Sequence, residues 1–181
     1  MKGKTTMKIH ASFLTHDGVA PATAGKVIDL GFNGDFDHKK TDWNMLFIQF
    51  PAKAAGTAMT VKVYSKQSAL KTEPILVNVA NLIGEFTVAA ADVQKGGVVG
   101  IPMPKGLKRY MTLAVAGTTL PDTVTAGVTD EVDTDLSVDL TNYKAATGTS
   151  EVAEVREANT ADIDKAIDTH AAKTTGVHGL S

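Results

Sequence analysis

The 181-residue chain contains no cysteine. This absence excludes disulfide bonds, thiolate nucleophiles and thiolate-based zinc sites, and it fits synthesis in a reducing compartment. Arginine is scarce as well, because Arg109 and Arg156 are the only arginines among 18 basic residues. Since lysine cannot form the bidentate hydrogen bonds by which arginine binds phosphates and base edges, the composition does not favour nucleic-acid recognition.

The sequence also lacks a strong net charge and a long apolar run. Its net charge is −2, so no general attraction to nucleic acid or to an anionic membrane is expected. No stretch of about 18 apolar residues is present, so we predict no membrane-spanning helix. A basic opening is followed by no apolar segment, so we predict no signal peptide and a flexible arm over residues 1–7.

The alternation that is typical of β-strands is clearest at residues 107–115. Met111, Leu113 and Val115 fall on one face of this strand together with Arg109, because successive side chains point to opposite sides of a sheet. We expect the stem of Arg109 to pack on this face while its head pairs with a carboxylate that the sequence does not identify. Further strands are predicted at residues 8–14, 26–30, 45–50, 59–65, 75–80, 86–88, 98–101, 123–128 and 136–140.

The spacing of these strands predicts the fold class. About eight to ten short strands are separated by turn residues, with no convincing helix between them. A parallel sheet needs long helical crossovers, for which the connections are too short or too rich in glycine and proline. We therefore predict an all-β fold, an antiparallel jelly-roll-like β-sandwich over residues 8–143.

The composition changes after Tyr143. Every aromatic residue and all six prolines precede Lys144, so residues 144–181 cannot form a core of their own. Two short helical patterns, at residues 151–158 and 161–172, are marginal in isolation. We predict a C-terminal extension of short helices or flexible chain that contacts a neighbouring chain. Its candidate partner contacts are Val152, Val155, Ile163 and Ile167.

No recognised catalytic or cofactor motif is present. The chain has no phosphate-binding glycine loop, no Gly-x-Ser-x-Gly elbow, and no His-x-His or His-Glu-x-x-His pair, so we predict neither an enzyme nor a cofactor or metal site. Asp35, Asp37 and Asp42 lack the glycine and terminal glutamate of an EF-hand loop, which favours a solvated loop.

Trp43, in the same polar insertion, allows two interpretations. The preferred one is a lid that packs on the sandwich. The other is an exposed anchor for a sugar or a partner protein, because tryptophan is enriched at interaction sites. The second interpretation supports an alternative function, a carbohydrate-binding β-sandwich such as a head-fibre or adhesion module.

Three stretches carry a resemblance to a known family: Val-Ile-Asp-Leu-Gly at 27–31, Met-Thr-Val-Lys-Val-Tyr at 59–64, and Pro-Lys-Gly-Leu-Lys-Arg-Tyr-Met at 104–111. In this order they resemble the capsid cement, or decoration, proteins of tailed bacteriophages. The likeness covers roughly residues 8–130. Its most specific part is the strand that carries Lys105, Gly106, Lys108, Arg109 and Tyr110.

The resemblance implies a structural virion protein, made in the host cytoplasm and bound to the outer surface of a phage head. It implies a jelly-roll-like domain that bridges capsomers, often as a trimer, and it supplies no catalytic residue. The implied partners are the major capsid protein, further copies of the chain in a homotrimer, and a head fibre or other head proteins. No nucleic-acid or membrane partner is implied. The insertion 32–44 and the extension 144–181 depart from the family pattern, so their contacts are not carried over.

Overall fold

The structure, a computed structural model, describes residues 7, 9–21, 24–31, 44–67, 77–132, 134 and 136–145. Within them the chain forms two antiparallel sheets, which confirms the predicted all-β sandwich class. The jelly-roll connectivity remains a prediction. The strands are β1 Leu14–Val19, β2 Ile28–Asp29, β3 Met45–Phe50, β4 Met59–Lys66, β5 Leu82–Val88, β6 Gly97–Pro102, β7 Tyr110–Ala116, β8 Val124–Thr129 and β9 Val138–Asp139.

The four-stranded sheet has the order β1-β8-β3-β6, and the five-stranded sheet has the order β2-β7-β4-β5-β9. Both sheets contribute alternate side chains to one apolar core, as expected for a sandwich. The fully buried core residues include Leu46, Ile48 and Val128 from the first sheet and Val61, Val63 and Leu113 from the second.

Strand β3 is buried on both of its faces at Phe47, which explains the three consecutive apolar residues at positions 46–48. Phe47 lies on the face opposite to the core residues Leu46 and Ile48, yet it is only 1% exposed. Its cross-strand neighbours are Gly100 and Gly127. A Cβ at either glycine would clash with another segment of the chain, so both positions need glycine for a close approach.

Two predicted strands were placed wrongly, for the same physical reason. Residues 11–13 of the predicted strand 8–14 form a 3₁₀ turn, because the His10 ring accepts a hydrogen bond from the Ser12 N–H. Likewise, the Asn78 side chain accepts a hydrogen bond from the Ala80 N–H. A 3₁₀ turn at Val79–Asn81 therefore replaces the end of the predicted strand 75–80. Side chains that bond to the nearby backbone compete with strand pairing, so β1 and β5 begin directly after these turns.

One short helix, α1 Ala90–Lys95, was not predicted. It buries Val93 and ends at Gly96, whose φ of +68° lies in the left-handed region that favours glycine. The helix joins β5 to β6 across the end of the sandwich. In the part of the chain that the structure describes, no helix is long and apolar enough to cross a membrane.

The pairing register places the strand ends in two groups. Tyr110, the first residue of β7, lies opposite Asp29 at the end of β2 and Lys66 at the end of β4. We call residues 104–109, which lead from β6 into β7, the motif turn, and we call this end of the sandwich the motif end. Strands β1, β3, β5 and β7 begin there. The opposite end carries the connections 51–58, 89–96 and 117–123.

The domain boundary predicted after Tyr143 falls within the described residues, whereas most of the predicted arm and extension lies outside them. Tyr143, the last residue of the predicted sandwich domain, belongs to the core. Lys144 and Ala145 continue beside the motif turn. Residues 146–181 of the predicted extension and residues 1–6 of the predicted arm lie outside the described residues.

Candidate functional site

The three stretches that carry the family resemblance are neighbours in the fold. They contribute β2, β4 and β7 together with the motif turn, and these strands are adjacent in the order β2-β7-β4. Tyr110 of the last stretch pairs with Asp29 of the first, and the middle stretch pairs with the part of β7 that follows Met111. The first and last stretches therefore meet at the motif end, while the middle stretch lies farther along the same sheet.

The motif turn has a defined backbone conformation. Gly106 has a φ of +81°, and a Cβ placed there meets nothing within 4 Å. The glycine is therefore required by the backbone conformation and not by lack of space. Leu107 is fully buried and anchors the turn in the core. Lys105 and Gly106 are exposed.

The first half of the turn pairs with the last described residues of the chain. The Lys105 N–H donates to the Lys144 carbonyl at 2.7 Å, and Pro104 forms an antiparallel bridge with Ala145. The lysines at positions 105 and 144 are both exposed. Two cationic side chains thus extend from one backbone contact at the motif end.

The second half of the turn is held by a buried serine of β4. The Lys108 N–H donates to Ser65 Oγ at 2.7 Å, and the Ser65 hydroxyl donates to the Tyr110 carbonyl at 2.9 Å. On the other side, the Leu30 N–H donates to the Arg109 carbonyl at 2.8 Å. Backbone groups that are bonded on both sides restrict the conformations of the turn, so its side chains extend from a preorganised frame.

Arg109 forms a bidentate ion pair with Asp29. Its Nε lies 2.9 Å from Oδ1 and its Nη2 lies 2.9 Å from Oδ2. The hydrogen bonds from Arg109, and a further one from the Gly31 N–H, hold the pKa of Asp29 below its ordinary value against a partial opposing effect of desolvation. Asp29 in turn raises the pKa of Arg109. The expected pairing of the Arg109 head is confirmed, and the structure identifies the carboxylate as Asp29.

The guanidinium is also positioned by an aromatic ring. The Arg109 Cζ lies 5.2 Å from the centre of the Tyr110 ring, within the range of a cation–π contact. Tyr110 lies beside the small apolar cluster of Tyr64 and Ala114 on the outer face of the five-stranded sheet. The ion pair therefore sits at the border between this cluster and the motif turn.

No known protein-family profile matches this chain, and no curated protein sequence matches it. The resemblance to decoration proteins consequently rests on the three stretches and remains a prediction.

Tyr143 fixes the chain beside the motif turn, a role that the sequence did not reveal. Its hydroxyl donates to the Pro102 carbonyl of β6, and its ring contacts Phe86 of β5 edge-to-face at 6.1 Å. Burial raises the pKa of the Tyr143 hydroxyl. Because the side chain contacts both sheets, it holds residues 144 and 145 against the turn.

Of the five residues predicted on the family-motif strand, only Tyr110 lies in a strand, the start of β7; Lys105, Gly106, Lys108 and Arg109 lie in the motif turn before it. The predicted partner contacts Trp43, Val152, Val155, Ile163 and Ile167 lie outside the described residues. The acidic loop of Asp35, Asp37 and Asp42 lies outside them as well.

A shallow cleft of ≈340 Å³ lies beside β1 and includes His16. The ring is 1% exposed, and its Nδ1 lies 3.1 Å from the Thr15 hydroxyl, which donates to the Ala126 carbonyl. A Cβ at Gly25 would lie 2.6 Å from this ring, so the glycine is needed for the close approach. Among the described residues that line this cleft, Asp17 is the only acid.

No group of three or more His, Asp or Glu side chains with metal-binding geometry occurs within the described ranges. The feature that the described residues build most completely is the motif turn, a loop with a fixed backbone, three basic side chains and two exposed residues. Such a feature is suited to contact with another macromolecule.

Proposed function

We propose that this chain is a capsid cement, or decoration, protein that binds the outer surface of a tailed-phage head and bridges capsomers to stabilise the shell. In this proposal the chain is a structural virion protein and has no enzymatic activity. The observation that carries the proposal is the adjacency of the three family-like stretches as strands β2, β7 and β4. The bidentate pair between Asp29 and Arg109 joins the first stretch directly to the last.

The geometry fits a protein that acts by binding. A cement protein needs a scaffold whose contact residues are ordered before the contact forms, because ordering them on binding costs conformational entropy. The motif turn meets this requirement through Ser65, Tyr143 and the Asp29–Arg109 pair, which hold it to three different parts of the fold.

The major capsid protein is the proposed partner, and a homotrimer is the proposed assembly. Three linked copies that contact neighbouring capsomers raise the effective concentration of each contact, so modest individual contacts suffice. A protein that binds only the assembled shell also shifts the equilibrium toward that shell by mass action. A head fibre or another head protein is a further proposed partner.

Quantitative mass spectrometry of purified phage particles tests this function. The phage whose genome encodes the chain is purified, and the copy number of the chain is measured relative to the major capsid protein. We expect a copy number comparable with that of the major capsid protein, because a cement protein occupies symmetry-related positions over the whole shell. Absence from the particle, or only a few copies per particle, would contradict the proposal.

A further inference from the structure

We propose that Val132, Thr134 and Leu136, which we call the strap, cover the free edge of β6 and thereby prevent two copies of this chain from pairing through that edge. The strap belongs to the connection between β8 and β9. Its release exposes a latent self-association site, whose occupant is β6 of a second copy. This inference concerns association of the chain with itself and does not depend on the function proposed above.

Strand β6 is a terminal strand of the four-stranded sheet, and its sequence favours self-pairing. It pairs with β3 over all six of its residues, Gly97–Pro102, so a further strand has only its other edge to join. The strand contains no charged residue, and Val98, Val99 and Ile101 are β-branched. A regular edge of this composition, when it is open, pairs readily with another strand.

The other three sheet edges carry features by which proteins prevent such pairing. Strand β1 contains the exposed Asp17 and is irregular, because its register with β8 shifts twice. The edge strands β2 and β9 of the other sheet are each two residues long. A charge, an irregular register and a short strand all discourage edge pairing. Strand β6 lacks these three features, and its one proline stands at its last position, so its protection comes from the strap.

Thr134 occupies the backbone hydrogen-bonding groups in the middle of the β6 edge. Its hydroxyl accepts a hydrogen bond from the Gly100 N–H at 3.0 Å and donates one to the Gly100 carbonyl at 2.9 Å. A residue in an antiparallel strand directs both of these groups to the same side, where an added strand bonds to the same pair. The Thr134 side chain therefore takes the place of a partner strand at this position.

The next bonding position along the same edge is closed as well. Pro102 lies two residues after Gly100, so its backbone groups face the same side of β6. Proline has no N–H, and the Pro102 carbonyl accepts a hydrogen bond from the Tyr143 hydroxyl. The free edge of β6 is thus closed at two successive bonding positions.

Two apolar side chains hold the strap across the edge. Gly100 lies opposite Phe47 on the outer face of the sheet, and a Cβ there would lie 1.8 Å from Val132 Cγ1. Gly97 lies opposite a core residue of β3, and a Cβ there would lie 3.2 Å from Leu136 Cγ. Val132 and Leu136 therefore contact opposite faces of β6, and the strap wraps around its edge.

The strap lies at the surface of the sandwich. Val132 and Leu136 are half-buried, and Thr134 is exposed. A hydrogen bond at an exposed site contributes little net free energy, because water replaces it. Local opening of such a segment costs less than unfolding of the core, so the strap is released while the two sheets remain folded.

Full-length variants at position 134 test this inference. Thr134→Val removes the hydroxyl and keeps the shape of the side chain, whereas Thr134→Ser keeps the hydroxyl. Thr60→Val is the control, because it removes a hydroxyl that lies 3.2 Å from the Thr87 hydroxyl on β4, a strand with neighbours on both sides. All three variants are expected to retain a cooperative melting transition, since each changes few atoms away from the core.

Sedimentation velocity over a range of protein concentrations measures the association. The wild type, Thr134→Ser and Thr60→Val are expected to sediment as the same species. Thr134→Val is expected to form an additional species of at least about twice that mass, because two identical edges pair around a two-fold axis. Adding Val98→Lys to Thr134→Val is expected to restore the wild-type mass, because lysine on an edge strand discourages pairing.

Hydrogen exchange of the Gly100 N–H shows whether the heavier species forms through this edge. In dilute Thr134→Val, exchange is expected to be roughly two- to tenfold faster than in the wild type, as for the loss of one hydrogen bond. At high concentration the protection is expected to return, because β6 of a second copy then bonds along the same edge.

Four results would overturn the inference. Unchanged Gly100 exchange in Thr134→Val would show that the hydroxyl does not cover the edge. Faster exchange with the wild-type mass at every concentration would show that the open edge does not pair. A heavier species that keeps fast Gly100 exchange, or that Val98→Lys does not reduce, would place the association elsewhere. Loss of cooperative melting in Thr134→Val would show that the contact holds the fold and is not a releasable strap.

Discussion

The Asp29 carboxylate and the Arg109 guanidinium are joined by two parallel 2.9 Å hydrogen bonds, although the residues are 80 positions apart in the chain. This pair connects β2 to the turn that precedes β7, at the point where the Leu30 N–H bonds to the Arg109 carbonyl. The pair therefore fixes the relative position of the two most family-like stretches. We regard it as the centre of the motif end.

The first prediction concerns the bidentate geometry of this pair. Arg109→Lys keeps the positive charge but loses the planar fork, so we expect a fall of roughly 1–3 °C in melting temperature at low salt and a smaller fall at high salt. Hydrogen exchange of the Leu30 N–H should become faster. Glu85→Gln, which removes the looser 3.9 Å contact with Lys62, is the control. A larger effect in the control would contradict the assigned importance of the pair.

The second prediction concerns acid. The folded-state pKa of Asp29 is lowered from 3.8 by Arg109, so its contribution to stability is present above the unfolded-state pKa and is lost as the pH falls through the folded-state pKa. The stability difference between the wild type and Asp29→Asn should therefore be constant at neutral pH and shrink below about pH 4. Urea unfolding at a series of pH values measures it. A difference that grows on acidification would show that the sign is wrong.

The third prediction concerns the outer face of the four-stranded sheet. Phe47→Ala should cost about 3–5 kcal/mol of unfolding free energy, because it removes an aromatic ring that is only 1% exposed. Gln49→Ala, on the same face of β3 but exposed, should change stability by less than about 0.5 kcal/mol. Chemical denaturation compares the two. Equal costs would mean that Phe47 is not packed as the structure shows.

The fourth prediction concerns Tyr143. Tyr143→Phe removes the hydrogen bond to the Pro102 carbonyl and should cost about 1 kcal/mol. Exchange of the Lys105 N–H should become faster, because this group bonds to Lys144, the next residue of the chain. Tyr64→Phe is the matched control, since Tyr64 is also 7% exposed but lies in the separate outer cluster. Faster Lys105 exchange in the control as well would contradict a local role for Tyr143.

The fifth prediction concerns the C-terminal extension. A chain that ends at Ala145 should keep its cooperative melting transition, because Tyr143 and the bridge to Pro104 are retained. A chain that ends at Asp139 loses Tyr143 and should melt at a lower temperature. The chain that ends at Ala145 should also bind phage heads more weakly than the full chain. Loss of cooperative melting in the chain that ends at Ala145 would show that the extension belongs to the core.

The sequence predicted strand positions correctly where burial alone determines the pattern of apolar residues. The predicted strand 45–50 is observed with the same bounds as β3, and the predicted strand 59–65 differs from β4 by one residue. Prediction failed where a polar side chain bonds to the backbone two residues away, at His10 and Asn78. Such local bonds do not alter the apolar pattern, so the alternation still indicated a strand.

The motif turn was recognisable in the sequence, but its connections were not. Gly106 and the two prolines before it indicated a turn, and Arg109 was expected to pair with an acid. The partners Asp29 and Ser65 are brought to the turn by pairing of β7 with β2 and β4. Such non-local pairing depends on strand order, which the pattern of a single strand does not determine.

A cryo-EM map of the phage head tests the central claim most directly. The account predicts density for this two-sheet sandwich on the outer surface of the shell at symmetry-related positions, in contact with the major capsid protein. Density for the sandwich elsewhere in the particle, or a shell whose outer surface carries no such domain, would contradict it.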